Sequence, residues 1–253
     1  MRRLIVSPKS ISGDIINITD KEDIVYISVV LRMKKGDKLL VSDGAGKVWD
    51  TCMESLLRDR IELRILSEQP ILKLENTRVT LFQGLPKGSK MDEIVRKATE
   101  LGVYKIVPVG TGRSISGSVN MVSTKLERWR RIAKEASKQS MRIRVPDVSG
   151  LMGFEDVSAE LNLAGFDLVL VPYELEQERT LKQALRESIA SILHNVEKPL
   201  NIAVFIGPEG GFESTEIDML VDEGAVSVTL GDTILRTETA GPAAIAMILY
   251  ELS

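Results

Sequence analysis

From Thr77 onward, short apolar runs and amphipathic stretches take turns along the chain, and this alternation limits the possible folds more than any other feature. "TRVTLFQGL" has the composition of a strand. "SKMDEIVRKATELGV" reads as a helix, with Met91, Ile94, Val95, Ala98 and Leu101 on one stripe, Asp92 and Arg96 at i,i+4, and Gly102 as its stop. "KIVPV" is the next strand. "VSTKLERWRRIAKEASKQSM" is the next helix, with Leu126, Trp129, Ala133 and Ala136 facing inward. "FDLVLVPYE", "NIAVFIGPEGG" and "SVTLG" continue as strands, and "TLKQALRESIASIL", "STEIDMLVDEG" and the segment after Thr239 as helices. Strands alternating with helices predict a parallel sheet covered by helices.

Upstream the period is different. "LIVS", "DIINIT" and "IVYISVVL" are short β-branched runs, and "DRIELRIL" is another strand. "DKLLVSDGAGKVWDTCM" predicts two strands joined through Asp43-Gly44-Ala45-Gly46. Many short strands close together predict a small barrel or sandwich. The change falls within residues 70–76, so the expected division is a β domain over 1–72 and an α/β domain over 73–253.

One cysteine, Cys52, and one histidine, His194, exclude an intrachain disulfide and a Cys/His zinc site, and argue against histidine- or cysteine-based nucleophilic catalysis. No metal is expected. Apolar runs are too short to cross a bilayer, and "MRRLIVSPKS" lacks the features of a signal peptide, so a cytoplasmic protein with no membrane partner is expected. The net charge of −3 conceals a strong polarity: residues 73–150 carry 16 Lys+Arg against 7 Asp+Glu, and residues 151–253 carry 5 against 18. Residues 113–144 alone hold nine basic and two acidic side chains. That pattern predicts a phosphate-contacting surface on an otherwise acidic protein.

In parallel α/β sheets, ligands bind beyond the carboxyl ends of the strands. Three such ends stand out: 168–174, 205–212 and 229–240. "GPEGG" is either an ordinary turn or a place where bare backbone admits a ligand. It matches neither a dinucleotide fingerprint nor a P-loop. In "LGDTILRTETAGPAA", Thr239 is placed to cap a helix starting near Ala240, with Pro242 in its first turn. Arg236 and Glu238 form either a surface ion pair or the polar floor of a pocket.

Together these segments resemble one family, the RsmE-like 16S ribosomal RNA (uracil-N3)-methyltransferases of the SPOUT class. "MRRLIV" and "VLRMKKGD…DGAG" resemble its PUA-like β-barrel domain. "KMDEIVRKATELGVYKIVPV", "RWRRIAKEASKQSMRIRVP", "FIGPEGGF" and "LGDTILRTETA" resemble its methyltransferase domain.

The resemblance implies a deep C-terminal trefoil knot, bound S-adenosyl-L-methionine, a homodimer, and methylation of N3 of a uridine in the decoding region of the small ribosomal subunit RNA. It implies a cofactor site lined by Val171, Pro172, Tyr173, Gly207, Pro208, Gly210, Gly211, Leu230, Gly231, Ile234, Leu235 and Thr239. Arg236, Arg113, Glu209 and Glu238 are the catalytic candidates, and Arg2, Arg3, Arg32, Arg128, Arg131, Arg142 and Arg144 the RNA-binding ones. Alternative readings are another SPOUT RNA methyltransferase, acting on a ribose 2′-hydroxyl or another base, and a non-catalytic RNA-binding assembly factor.

Four positions depart from the family pattern. Gly112 stands where an acid precedes Arg113-Ser114, Met141 where glycine precedes Arg142, and Glu213 where serine caps the next helix. The histidine before "VLR" is missing, with Tyr26 and Ile27 nearby.

Overall fold

The computed structural model describes residues 3–70, 76–114, 119–192 and 198–252. Arg2, His194 and residues 71–75 of the expected boundary lie outside the described residues. The chain divides into two compact units, Met1–Leu74 with Ser137–Val145, and Glu75–Ala136 with Pro146–Ser253.

The first unit holds β1 (Arg3–Ile5), β2 (Ile11–Ser12), β3 (Ile15–Ile18), α1 (Lys21–Val25), β4 (Lys38–Ser42), β5 (Val48–Leu56) and β6 (Ile61–Glu68). Its six-stranded sheet has the order β1-β4-β5-β6-β3-β2, with β1 and β4 parallel and the other pairs antiparallel. No pairing joins β1 to β2 among the described residues, so the sheet stays open where a closed barrel is expected. The β4–β5 hairpin turns at Asp43, whose carboxylate accepts from the amides of Ala45, Gly46 and Lys47.

"IVYISVVL" is not a strand. Asp20 caps α1 by accepting from the amides of Glu22 and Asp23, and the helix continues as one π turn over Tyr26–Val30. Ile27 is buried and Val29 and Val30 are exposed, so the cap outweighs the β-branched preference of the run.

Residues 137–145, expected in the second domain, pack into the first unit. Ser42 Oγ donates to the Ile143 carbonyl, Gly44 and Ala45 bridge to Arg144, the Arg3 guanidinium donates to the Met141 carbonyl, and Lys138 pairs with buried Asp23. Beneath the sheet lies a core that includes Leu4, Ile16, Ile27, Leu39, Met53, Ile61 and Leu63.

The second unit runs β7 (Thr77–Gly84), α2 (Lys90–Leu101), β8 (Lys105–Gly110), α3 (Val119–Gln139, whose last residues from Ser137 count with the first unit), β9 (Asp147–Val148), β10 (Met152–Gly153), α4 (Val157–Ala164), β11 (Leu168–Pro172), α5 (Leu181–Ile192), β12 (Leu200–Ile206), α6 (Ser214–Asp222), β13 (Val226–Val228) and α7 (Thr237–Glu251). Every strand pair in its sheet is parallel, in the order β10-β8-β7-β12-β11-β13, with β9 also on β8. Phe82 of β7 stacks on Phe205 of β12 with ring centroids 4.3 Å apart. The opposite end of the sequence, α7, packs against β7, β12, α2 and α5.

Two helix details differ from expectation. Leu101 ends α2 at 40% exposure, because the helix stops at Gly102 before that face reaches the core. Asp92 does not pair with Arg96. It accepts from Trp129 Nε1 (3.1 Å) and binds Arg128 (2.5 Å), joining α2 to α3.

Candidate active site

The carboxyl ends of β7, β8, β11, β12 and β13 converge on a set of loops held together by side chain to backbone bonds. Gln83, fully buried near the end of β7, donates through Nε2 to the Gly84 carbonyl (3.0 Å) and to Thr237 Oγ1 (2.9 Å). Thr237 Oγ1 in turn donates to the Gly207 carbonyl (2.7 Å). This bond sets where α7 begins. Its first residue is Thr237, with Arg236 at the N-cap position and no side-chain cap. Thr239 is therefore inside the first turn rather than the cap. Pro242 falls in the second turn, where its missing N–H leaves the Glu238 carbonyl without the usual helical donor.

The Gly207–Gly211 loop packs closely against its neighbours. A Cβ on Gly84 would stand 2.6 Å from Pro208, and one on Gly207 would stand 3.0 Å from the Gly211 carbonyl carbon. Gly210 lies under the Arg113 side chain, and Arg113 donates to the Gly210 carbonyl (2.7 Å). Gly211, at φ +70°, has the Glu174 carboxylate 3.0 Å from where its Cβ would be. Its backbone angle demands glycine, and a side chain there would also push the exposed Glu174 carboxylate aside.

Arg113 sits in a turn closed by Thr111 and Ser114. Buried Glu216 holds that turn against α6: its two carboxylate oxygens accept from the amides of Gly112 (2.8 Å) and Glu213 (2.8 Å). The Glu213 carboxylate fills the space a side chain at Gly112 would take. On the other side, Glu176 orders the Tyr173–Arg179 loop by accepting from the amides of Glu178 and Arg179, bonds that hold its carboxyl below the ordinary value. Thr229 Oγ1 braces Leu230 and Gly231 by bonding both the amide and the carbonyl of Gly231.

Arg236 and Glu238, two positions apart in sequence, do not pair. Glu238 instead faces Lys90 at the start of α2 (3.5 Å), and Lys90 also binds Glu209 (3.0 Å). Burial pushes the Glu209 carboxyl upward, but bonds from Lys90 and from the Lys87 amide outweigh it, and the net position is below the ordinary carboxylate value. Arg236 is exposed; its carbonyl accepts from the amides of Thr239 and Ala240, but its guanidinium makes no hydrogen bond or ion pair among the described residues. Leu235 is half-buried, and Ile234 and Leu175 present apolar side chains at 85% and 71% exposure.

The expected catalytic residues thus separate. Arg113 reaches the glycine loop, Glu209 and Glu238 share one lysine, and Arg236 stands alone. Of the expected RNA-binding residues, Arg3, Arg32, Arg142 and Arg144 belong to the first unit, and Arg128 and Arg131 lie on α3 in the second. Arg128 is engaged by Asp92, while Arg131 is exposed. Gln83, Lys90, Glu174 and Glu216 escape a sequence reading because each acts through contacts distant in the chain. Among the described residues no cluster of His, Cys, Asp or Glu suits a metal, and no helix is long and apolar enough to cross a membrane.

Comparison with known proteins defines the class. Residues 73–249 match the model of an RNA methyltransferase domain, and residues 18–66 that of an RNA methyltransferase PUA domain. Ribosomal RNA small subunit methyltransferase E of Bacillus subtilis is 31% identical over 231 residues, spanning 91% of this chain and 88% of the relative. The enzyme of the same name from Synechocystis is 35% identical over 251 residues, spanning 97% and 76%. The solved structure of Neisseria gonorrhoeae ribosomal RNA small subunit methyltransferase E bound to S-adenosyl methionine superposes with a TM-score of 0.79 at 30% identity, covering 99% of this chain and 97% of that one. A Legionella pneumophila methyltransferase solved with its bound cofactor SAM gives 0.78 at 26% identity, covering 98% and 96%. The chain belongs to the ribosomal RNA small subunit methyltransferase E family.

Proposed function

We propose that this protein is an S-adenosylmethionine-dependent methyltransferase that modifies N3 of a specific uridine in the decoding region of 16S ribosomal RNA. It works in the cytoplasm as a homodimer with a SPOUT fold knotted near its C-terminus. The observation that carries the reading is the convergence of the 207–212, 229–236 and 172–176 loops at the strand ends, in a chain of this family. The route of the chain favours a knot. After β13, at the edge of the sheet, it arrives at Thr237 over the ends of β12 and β7, while the loop after β12 reaches Arg113 beyond β8. The apolar exposure of Leu175, Ile234 and Tyr250 supports a second copy as partner.

The residues suit the cofactor. Glycines at 207, 210 and 211 bring bare backbone to the strand ends, nothing lies within 4 Å of a Cβ position on Gly231, and Leu175 and Ile234 offer apolar faces to an adenine. When bound, S-adenosylmethionine supplies an electrophilic methyl group on a sulfonium. The protein's part is to align that methyl with N3 and to stabilise the uridine once its N3 proton is lost. Arg236, with an uncommitted guanidinium, suits the developing charge on O2 or O4, and Arg113 keeps N–H donors beyond the one bound to Gly210. The shared ion pair with Lys90 favours a structural role for Glu209 and Glu238 over that of proton acceptor.

The test is incubation of the protein with labelled donor and small subunits lacking this modification, followed by mapping of the label. Label on uridine N3 supports the proposal. Label on a ribose 2′-oxygen or another base supports a different RNA methyltransferase, and absence of both label and donor binding supports a non-catalytic factor.

A further inference from the structure

Glu209 is the only long side chain in Gly207-Pro208-Glu209-Gly210-Gly211, so beside the bonds from Arg113 and Thr237 to the loop's carbonyls it is the one side-chain handle on that loop. Its carboxylate is held at both oxygens by the Lys87 amide (3.1 and 3.2 Å) and at Oε1 by the Lys90 ammonium (3.0 Å). Glu238, in the first turn of α7, points at the same ammonium. Its side chain is 14% exposed, and its buried Oε2 has no hydrogen-bond partner, only Lys90 at 3.5 Å. The bond to Glu209 holds Lys90 above the ordinary lysine value, and the charges of both glutamates add to this.

One cation therefore separates two carboxylates, Glu209 of the glycine loop and Glu238 at the start of α7. Without it, like charges would face one another with Glu238 largely shielded from water, and the cheapest response would be movement of the glycine-flanked loop.

We propose that Lys90 is a positioning residue for the methyl donor: it clamps the 207–211 loop to the start of α7 and so presets the donor-binding backbone before the donor arrives. This rests on the assignment of those loops to S-adenosylmethionine. Lys90 does not touch the reacting atoms, so its removal acts on donor affinity more than on turnover at saturating donor. Arginine can replace it, because the requirement is a cation that spans both carboxylates. Neutralising one carboxylate removes the reason for the clamp, so Glu238→Gln rescues part of what Lys90→Met loses.

Calorimetry with S-adenosylmethionine, together with amide exchange of the free protein, tests this on the full-length chain. Lys90→Met is expected to weaken donor binding by about tenfold or more, the effect of leaving paired charges uncompensated. Exchange at Gly210–Phe212 should quicken in the same variant. Lys90→Arg should bind as the parent does, and Lys90→Met/Glu238→Gln should recover part of the loss in both measurements. Parent-like affinity and exchange in Lys90→Met would overturn the proposal, as would a double variant no better than Lys90→Met alone. Gly211→Val, titrated alongside, separates the two layers. If it loses affinity while Lys90→Met does not, only the clamp fails. If neither loses affinity, the loop assignment fails with it.

Discussion

The two units differ in which residues they place in left-handed backbone. In the second, every described residue at positive φ is a glycine. In the first, Arg32 (φ 49°) and Met141 (φ 55°) take conformations that ordinarily belong to glycine. Their arginines differ as well: Arg3 is committed to the Met141 carbonyl, whereas the Arg236 guanidinium at the strand ends is committed to nothing among the described residues.

Met141 shows what the difference means. It follows the last turn of α3, where its amide bonds the Lys138 carbonyl and the Arg142 amide bonds the Ser137 carbonyl, the pattern of a Schellman stop. Its side chain is exposed, so only the backbone angle is unfavourable. At Gly207 the space itself is taken by the backbone of Gly211 and Phe212. At Met141 only an angle is at stake, and a non-glycine residue meets it, although Gly13, Gly36 and Gly231 hold the same kind of angle in open space.

The comparison can be broken at four points. Arg236→Ala should lower methyl transfer by about two to three orders of magnitude, as loss of one donor to a developing anion does, with the melting temperature unchanged. Transfer at the parent rate would mean the free guanidinium has no chemical part. Gly211→Val should cost about 2–3 kcal/mol in thermal or urea unfolding, since it meets both the angle and Glu174. A cost of about 1 kcal/mol, that of the angle alone, would remove crowding from the account.

Met141→Gly should stabilise the protein by about 0.5 kcal/mol, relief of the angle being partly offset by the freer unfolded chain. Destabilisation would show that the methionine side chain packs. The smallest effect concerns acid. The Glu209 carboxyl lies below its reference value of 4.5, so its contribution is complete above that pH and is lost as pH falls through the lower folded value. Donor affinity should therefore hold steady down to mild acid, and a loss beginning near neutrality would contradict the direction of that shift.

Much of the second unit is legible in its sequence because strand and helix periods are local. The apolar run of β12 and the stripe of α2 each announce their own structure. The first unit yields less: a β-branched run from Ile24 folds as helix because Asp20 caps it and Ile27 finds a core, facts of tertiary context. The short β9 and β10 and the helix α4 carry no pattern strong enough to announce them. At the site, motif residues could be named, but their partners could not. Arg236 and Glu238 look like a pair at a spacing of two, yet a lysine nearly 150 positions upstream takes the glutamate. Gly112 and Glu213, read separately as two departures, occupy one place in space.

The stretch Ser137–Val145 has a bearing on how such proteins are cut and recombined. A gene fragment ending at Leu74 would encode a β unit without the hairpin's partner at Arg144 and without the lysine that neutralises buried Asp23. Grafting this unit onto another enzyme would take three joints instead of one, and two of them fall within ten residues of each other, at the end of a helix. Recombination at a single crossover would strand that piece with the wrong parent.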